Sequence, residues 1–359
     1  MNTRIFLILA AVLTIFACNS NPENTSDSVN DSLKNKAIET KSGLNFAISP
    51  YENYSIIGDE FELTITMNSE IKVDSVSVFL GEKLIQKFTE LPAKVKVNTK
   101  DYVVGFHEFK AVLNDFSEIK TQQIQLFSDL QPKKYTIKVN KTYPHDIGAY
   151  TQGLIMVDGW FYESTGMQGE STVRKVKPET GEIFQSNSMA KEIFGEGITK
   201  FGDKLVHLSW QSYTGFVYDF KTFKLEKQFS YATEGWGITH NGKQLIMSDG
   251  TENLYFLDPT TYAVVKTLGV YSNIGPTKQL NELEYIKGKI FANVYMTDEI
   301  VIINPENGKV EGIINCAGLL TEKDKHPNID VLNGIAYDEK TGKMYITGKR
   351  WPKLFEVSY

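Results

Sequence analysis

The chain has 359 residues, 41% of them hydrophobic, and a net charge of −6 with no basic stripe, so nucleic acid is not an expected partner. Two cysteines, Cys18 and Cys316, exclude a disulfide framework, so stability must come from apolar burial, for which the length allows two domains. After residue 18 no stretch is long and apolar enough to cross a membrane as a helix.

Residues 1–18 read as an export signal. Arg4 gives a positive start, Ile5 to Phe16 an apolar run too short for a stable span, and Ala17 a small residue before Cys18. Ile15-Phe16-Ala17-Cys18 resembles a bacterial lipobox. That makes Cys18 the expected lipidation site, with the protein exported and held at the cell envelope, periplasm-facing or on the surface, by an N-terminal lipid anchor. A plain signal peptide ending near a cysteine is the other reading. Residues 19–43 are rich in Asn, Ser, Asp, Glu and Lys. They lack the apolar content to fold and are expected to form a flexible tether.

Residues 44–130 alternate polar and apolar side chains, as in Phe61-Glu62-Leu63-Thr64-Ile65-Thr66-Met67 and Phe106-His107-Glu108-Phe109-Lys110-Ala111-Val112-Leu113. Period two with β-branched and aromatic residues predicts half-buried strands. Six or seven short strands over this length suggest a small immunoglobulin-like β-sandwich, without the Cys-Trp-Cys pattern. No catalytic cluster falls within it, so a spacer or docking role is expected.

Beyond Pro132 the chain repeats itself. Gln152-Gly153-Leu154, Glu196-Gly197-Ile198, Trp236-Gly237-Ile238, Asn281-Glu282-Leu283 and Asn333-Gly334-Ile335 each precede an apolar strand and a polar turn. Their first residues are 44, 40, 45 and 52 positions apart (152 to 196, 236, 281 and 333). Such a period, with about four strands per unit, is the signature of β-propeller blades. The span 134–359 accommodates five, so the expected fold is all-β: a five-bladed β-propeller preceded by the sandwich. The segment Tyr135-Thr136-Ile137-Lys138-Val139 has no unit of its own and is expected to close the ring as the outer strand of the last blade.

Equivalent positions in successive blades lie at equal distance from the axis. Gln152, Glu196, Trp236, Asn281 and Asn333 are therefore expected to converge at one end of the channel, with the following glycines allowing close approach. One carboxylate, one indole and three amides at equivalent positions suggest a site rather than a packing repeat.

Tyr150-Thr151-Gln152-Gly153-Leu154, with His145-Asp146 ahead and Tyr162-Glu163-Ser164-Thr165-Gly166 behind, resembles the first-blade signature of plant-type glutaminyl cyclases, the glutamine cyclotransferase family. Phe194-Gly195-Glu196-Gly197-Ile198-Thr199, Leu280-Asn281-Glu282-Leu283-Glu284-Tyr285, Asn333-Gly334-Ile335-Ala336 and Thr347-Gly348-Lys349-Arg350-Trp351-Pro352 are similar to later family motifs, in the same order. The resemblance spans about 134–359. It implies a metal-independent acyltransferase without a cofactor, acting on peptides or proteins with N-terminal glutamine; a monomer is expected. It implies that Glu196 is the catalytic acid and base, that Gln152, Asn281 and Lys349 are polar site residues, and that Tyr150, Trp210 and Trp236 help bind substrate. Which of Lys349, Asn281 and Gln152 stabilises the oxyanion is left open. A third aromatic position, usually Trp in the family, is Tyr295 here, which predicts a pocket of altered size or preference.

Glu163, Glu282 and Glu284 read as structural hydrogen-bonders near the ring, Asn333 as a backbone-capping amide, and Cys316 as a buried thiol. The five histidines show no His-Glu-x-x-His spacing, and no metal is expected. The alternative function is a non-catalytic propeller that binds a partner at the envelope, since the architecture alone does not fix activity.

Overall fold

The computed structural model describes residues 43–49, 54–68, 72–114 and 118–359. Cys18 and the tether, apart from residue 43, lie outside them. Within the described residues the chain is built of strands, with one short 3₁₀ turn at Glu322–Asp324.

The alternation between residues 44 and 130 becomes eight strands in two sheets. Leu44–Ser49, Glu60–Met67 and Ala93–Asn98 form one; Tyr54–Ile56, Glu118–Phe127, Gly105–Leu113, Val76–Leu80 and Lys83–Phe88 form the other, in that order. Phe61, Leu63 and Ile65 point into a common core with Val78, Phe109 and Leu126, while Lys94 and Lys96 face outward. Each such large apolar side chain contributes roughly 1.5–3 kcal/mol by leaving water.

Five sheets, each with four antiparallel strands, follow one another, and the fourth carries a fifth strand in parallel at its rim. Sheet 1 runs Thr151–Val157, Trp160–Thr165, Thr172–Val176, Ile183–Ser188, and sheet 2 Gly195–Phe201, Lys204–Ser209, Thr214–Asp219, Leu225–Ser230. Sheet 3 is Ile238–His240, Leu245–Ser248, Asn253–Leu257, Val264–Gly269, and sheet 4 Leu280–Ile286, Lys289–Val294, Glu299–Ile303, Val310–Asn315. Sheet 5 combines Leu332–Asp338, Lys343–Gly348 and Lys353–Ser358 with Lys138–Pro144 as its outer strand. The first strand of each sheet packs on the first strands of both neighbouring sheets, and those of sheets 5 and 1 meet, so the ring closes.

One expectation is corrected. The segment expected to close the ring as a single strand divides. Lys133–Thr136 pairs in parallel with Val310–Asn315 at the rim of sheet 4, and only Lys138–Pro144 joins sheet 5. The alternation runs unbroken across the division, because the break is made by two different pairing partners and not by a turn residue.

Glycines set how closely the inner strands approach. A Cβ on Gly153 would lie 2.5 Å from the amide nitrogen of Ile198, and one on Gly197 would lie 2.7 Å from the Trp236 carbonyl oxygen. Polar side chains then staple the ring. Glu282 in sheet 4 accepts the amide hydrogens of Leu154 in sheet 1 (3.2 Å) and Ile335 in sheet 5 (2.8 Å). Glu284, two residues on, accepts the Tyr337 amide at 3.0 Å. Tyr271, leaving sheet 3, is 1% exposed within the core of the N-terminal sheets and packs on Phe127. The ring and the N-terminal sheets thus share a core residue.

Candidate active site

The register of the inner strands explains how the site is aimed. Pairing with the second strand shifts between Thr151 and Gly153, between Gly195 and Ile198, between Leu280 and Leu283, and between Leu332 and Ile335. A bulge leaves its extra residue out of the ladder and turns its side chain. Gln152, Glu196, Asn281 and Asn333 occupy those bulges. Trp236 instead sits just ahead of its strand.

A second recurrent position lies directly after the second strand of each sheet. Trp210, Tyr295 and Lys349 occupy it in sheets 2, 4 and 5. The chain then turns through a left-handed residue: Tyr213 (φ 51°), Met296 (φ 66°) and Arg350 (φ 58°). Met167 and Gly250 make the same turn in sheets 1 and 3.

Tyr150, Gln152, Glu196, Trp210, Trp236, Asn281, Tyr295 and Lys349 line a single cavity of about 220 Å³, together with Phe194. Of the five convergent positions only Asn333 is not in its lining. Asn333 is fully buried behind Gln152, donating to the Thr151 carbonyl (3.0 Å) and to Gln152 Oε1 (3.2 Å). That fixes the Gln152 amide so that its nitrogen donates to Glu196 Oε1 at 3.0 Å. The Asn281 side chain is 2% exposed and its Oδ1 has no hydrogen-bond partner among the described residues, which leaves amide capacity for a ligand.

Burial pushes the Glu196 carboxyl well above the usual carboxylate range. The Lys349 cation pulls it part of the way back, and the charge of Glu234 adds to the rise. Lys349, only 3% exposed, is lowered by burial against the attraction of Glu196 and Asp330. Its Nζ lies 4.9 Å from the centre of the Tyr150 ring and 5.0 Å from that of Tyr295. Tyr150 donates its hydroxyl to Asp330 at 2.8 Å.

The aromatic walls meet edge to face: Tyr150 on Phe194, Phe194 on Trp210 at 5.6 Å, and Trp236 on Tyr295 at 5.5 Å. Glu234 Oε2 accepts both indole hydrogens, from Trp210 at 2.7 Å and Trp236 at 3.0 Å. Phe194, Glu234 and Asp330 were not among the expected site residues. Phe194 stands inside a motif quoted for its glutamate. The other two lie on connecting loops that follow no repeat, and the available signal was that a walled-in indole or phenol needs an acceptor.

Glu163 accepts from Arg174, His145 and Thr151, Glu282 and Glu284 staple the ring, and Cys316 is buried. Among the described residues no group of three or more His, Cys, Asp and Glu is arranged to hold a metal ion.

The glutamine cyclotransferase family model matches residues 111–359, beginning in the strand Gly105–Leu113 rather than near residue 134 as expected. The chain is 41% identical over 235 residues to the glutaminyl-peptide cyclotransferase of Arabidopsis thaliana, an alignment that covers 64% of this chain and 73% of that protein. The solved glutaminyl cyclase of Myxococcus xanthus is 33% identical, with a TM-score of 0.60, over 64% of this chain and 98% of that one.

Proposed function

The chain belongs to the glutamine cyclotransferase family, and from that premise we propose that it converts N-terminal glutamine of peptides or proteins to pyroglutamate, releasing ammonia. The observation that carries this reading is a buried Glu196, its carboxyl raised by burial, inside an aromatic cavity that also presents Lys349 and an amide with a free acceptor, Asn281. We take the ring of sheets as a five-bladed propeller and the N-terminal sheets as an immunoglobulin-like sandwich.

The substrate's α-amine attacks its own γ-carboxamide carbon. A C–N bond forms to close the five-membered lactam, and the bond to the amide nitrogen breaks. The nucleophile is already tethered, so no covalent enzyme intermediate is required. Glu196 takes a proton from the attacking nitrogen and delivers one to the departing ammonia, ending in the state in which it began. Acid–base work of this kind is typically worth about 10² to 10⁴ in rate. A carboxyl raised by burial above the usual carboxylate range suits both transfers better than an ordinary one. Gln152 commits one amide hydrogen to Glu196, which favours Lys349 as the donor to the developing oxyanion, while the unpartnered Asn281 Oδ1 is placed to accept a hydrogen from the substrate. The walls exclude water and so favour lactam closure over hydrolysis.

No metal enters this scheme, since the carboxyl performs each proton transfer. The lipid anchor at Cys18, the envelope location and the monomeric state belong to the same proposal, the first two supported by the sequence of residues 1–43. Incubating the purified protein with a Gln-initiated dipeptide between about pH 6 and 9 should release ammonia, and EDTA should not inhibit. Absence of ammonia above the blank across that range would leave the binding function instead.

A further inference from the structure

The cavity wall is a ring of aromatic side chains closed at two points by charge. Lys349 spans the gap between Tyr150 and Tyr295. The opposite gap separates the two indoles, and Glu234 spans it. An indole N–H can only donate, and both here reach the same Glu234 oxygen, at 2.7 and 3.0 Å. The other oxygen accepts from Gln211 Nε2 at 3.0 Å. No other hydrogen bond is made by either indole nitrogen among the described residues.

We propose that Glu234 is the positioning residue of the aromatic wall: it clamps Trp210 and Trp236 at the spacing that encloses the substrate side chain, and fixes a negative charge beside the site. The kinetic part of this rests on the cyclotransferase reading. Burial opposes the Glu234 charge, but the three N–H donors outweigh it and hold the carboxyl below its usual range, so Glu234 is ionised. The groups that bear on the Glu196 carboxyl are Lys349, Glu234, Tyr150 and Tyr231, with His207 beside the Glu196 backbone. Both tyrosines are raised by burial and stay neutral, while burial pulls His207 down to about 3, leaving it neutral as well. Glu196 therefore feels two opposed charges, the Lys349 cation and the Glu234 anion. Removing the anion must lower its pKa.

Two variants separate reach from charge. Glu234→Gln keeps an acceptor within reach but loses the charge. Glu234→Asp keeps the charge but is too short for both indoles. In the pH profile of kcat/KM one limb belongs to the substrate amine and the other to Glu196. Glu234→Gln should move the Glu196 limb down by roughly 0.5–1 pH unit and leave the amine limb in place. Glu234→Asp should raise KM about 5- to 10-fold with both limbs unmoved. Near-UV circular dichroism of the indoles should change in Glu234→Asp while far-UV dichroism does not. Wild-type KM, profile and indole spectra in both variants would overturn the proposal. Should Glu234→Gln fail to fold, an unchanged KM in Glu234→Asp would overturn it alone. If the wild-type protein released no ammonia, the cyclotransferase reading would fall, and the indole spectra would still decide the clamp.

Discussion

Glu163 and Glu196 stand on adjacent sheets of the ring, 2% and 5% exposed, yet their carboxyls are shifted in opposite directions. Burial works against the charge of both. At Glu163 it is overcome by Arg174 (2.9 Å) and His145 (2.9 Å), which hold the carboxylate at about 2. Among the described residues, the one cation that bears on Glu196 is Lys349, which rests over two tyrosine rings, and its carboxyl has one hydrogen-bond donor, the Gln152 amide. Depth alone therefore does not make a reactive acid. A compensated carboxylate is a structural link, and an under-compensated one keeps its proton available.

The sharpest test of that contrast is Glu196→Gln. It should leave the protein folded and lower kcat by about 10² to 10⁴, measured as ammonia release. Near-normal turnover would mean that another group is the acid. On the compensated side, Arg174→Met takes the guanidinium from the buried Glu163, leaving it His145 and Thr151, and should cost roughly 3–5 kcal/mol in urea unfolding. A loss below about 1 kcal/mol would show that Glu163 does not need its partner. Next, Lys349→Met removes the cation that pulls Glu196 down. The Glu196 limb of the pH profile should rise, opposite to Glu234→Gln, and kcat should fall about 10²-fold if an oxyanion donor is lost.

The smallest effect concerns Glu284, raised to about 8, chiefly by burial. The folded chain then holds a proton that the unfolded chain has released above about pH 4.3. Stability due to this group is present at low pH and is lost as pH rises toward 8. Glu284→Gln mimics the protonated form and should flatten that decline by on the order of 1–2 kcal/mol between about pH 5 and 8, since the carboxyl borders a cavity at the channel mouth and is not fully dry. An equal slope in variant and wild type would place the titration elsewhere.

The repeat made the heads of the inner strands legible, because a glycine beside a crowded axis recurs at the spacing of the sheets. It could not tell which of those residues reach the cavity. Asn333 does not, since its amide is committed to the Thr151 carbonyl. Apart from Trp236, which the repeat itself picked out, the walls were reached only through family resemblance, although Trp210, Tyr295 and Lys349 share one place, directly after the second strand. Glu234 and Asp330 had no such register, because their roles arise from partners brought near by the fold. The division between Lys133–Thr136 and Lys138–Pro144 was hidden for the same reason.

The left-handed turns after the second strands lead to one more point. The wall residue stands outside the ladder, between the end of the second strand and the left-handed turn. Sheet 2 already holds a longer version, in which Tyr213 takes the positive φ four residues past Ser209, whereas Met296 does so two past Val294. The enclosure can thus be refitted one corner at a time, by exchange or by insertion, while the acid beneath stays where it is.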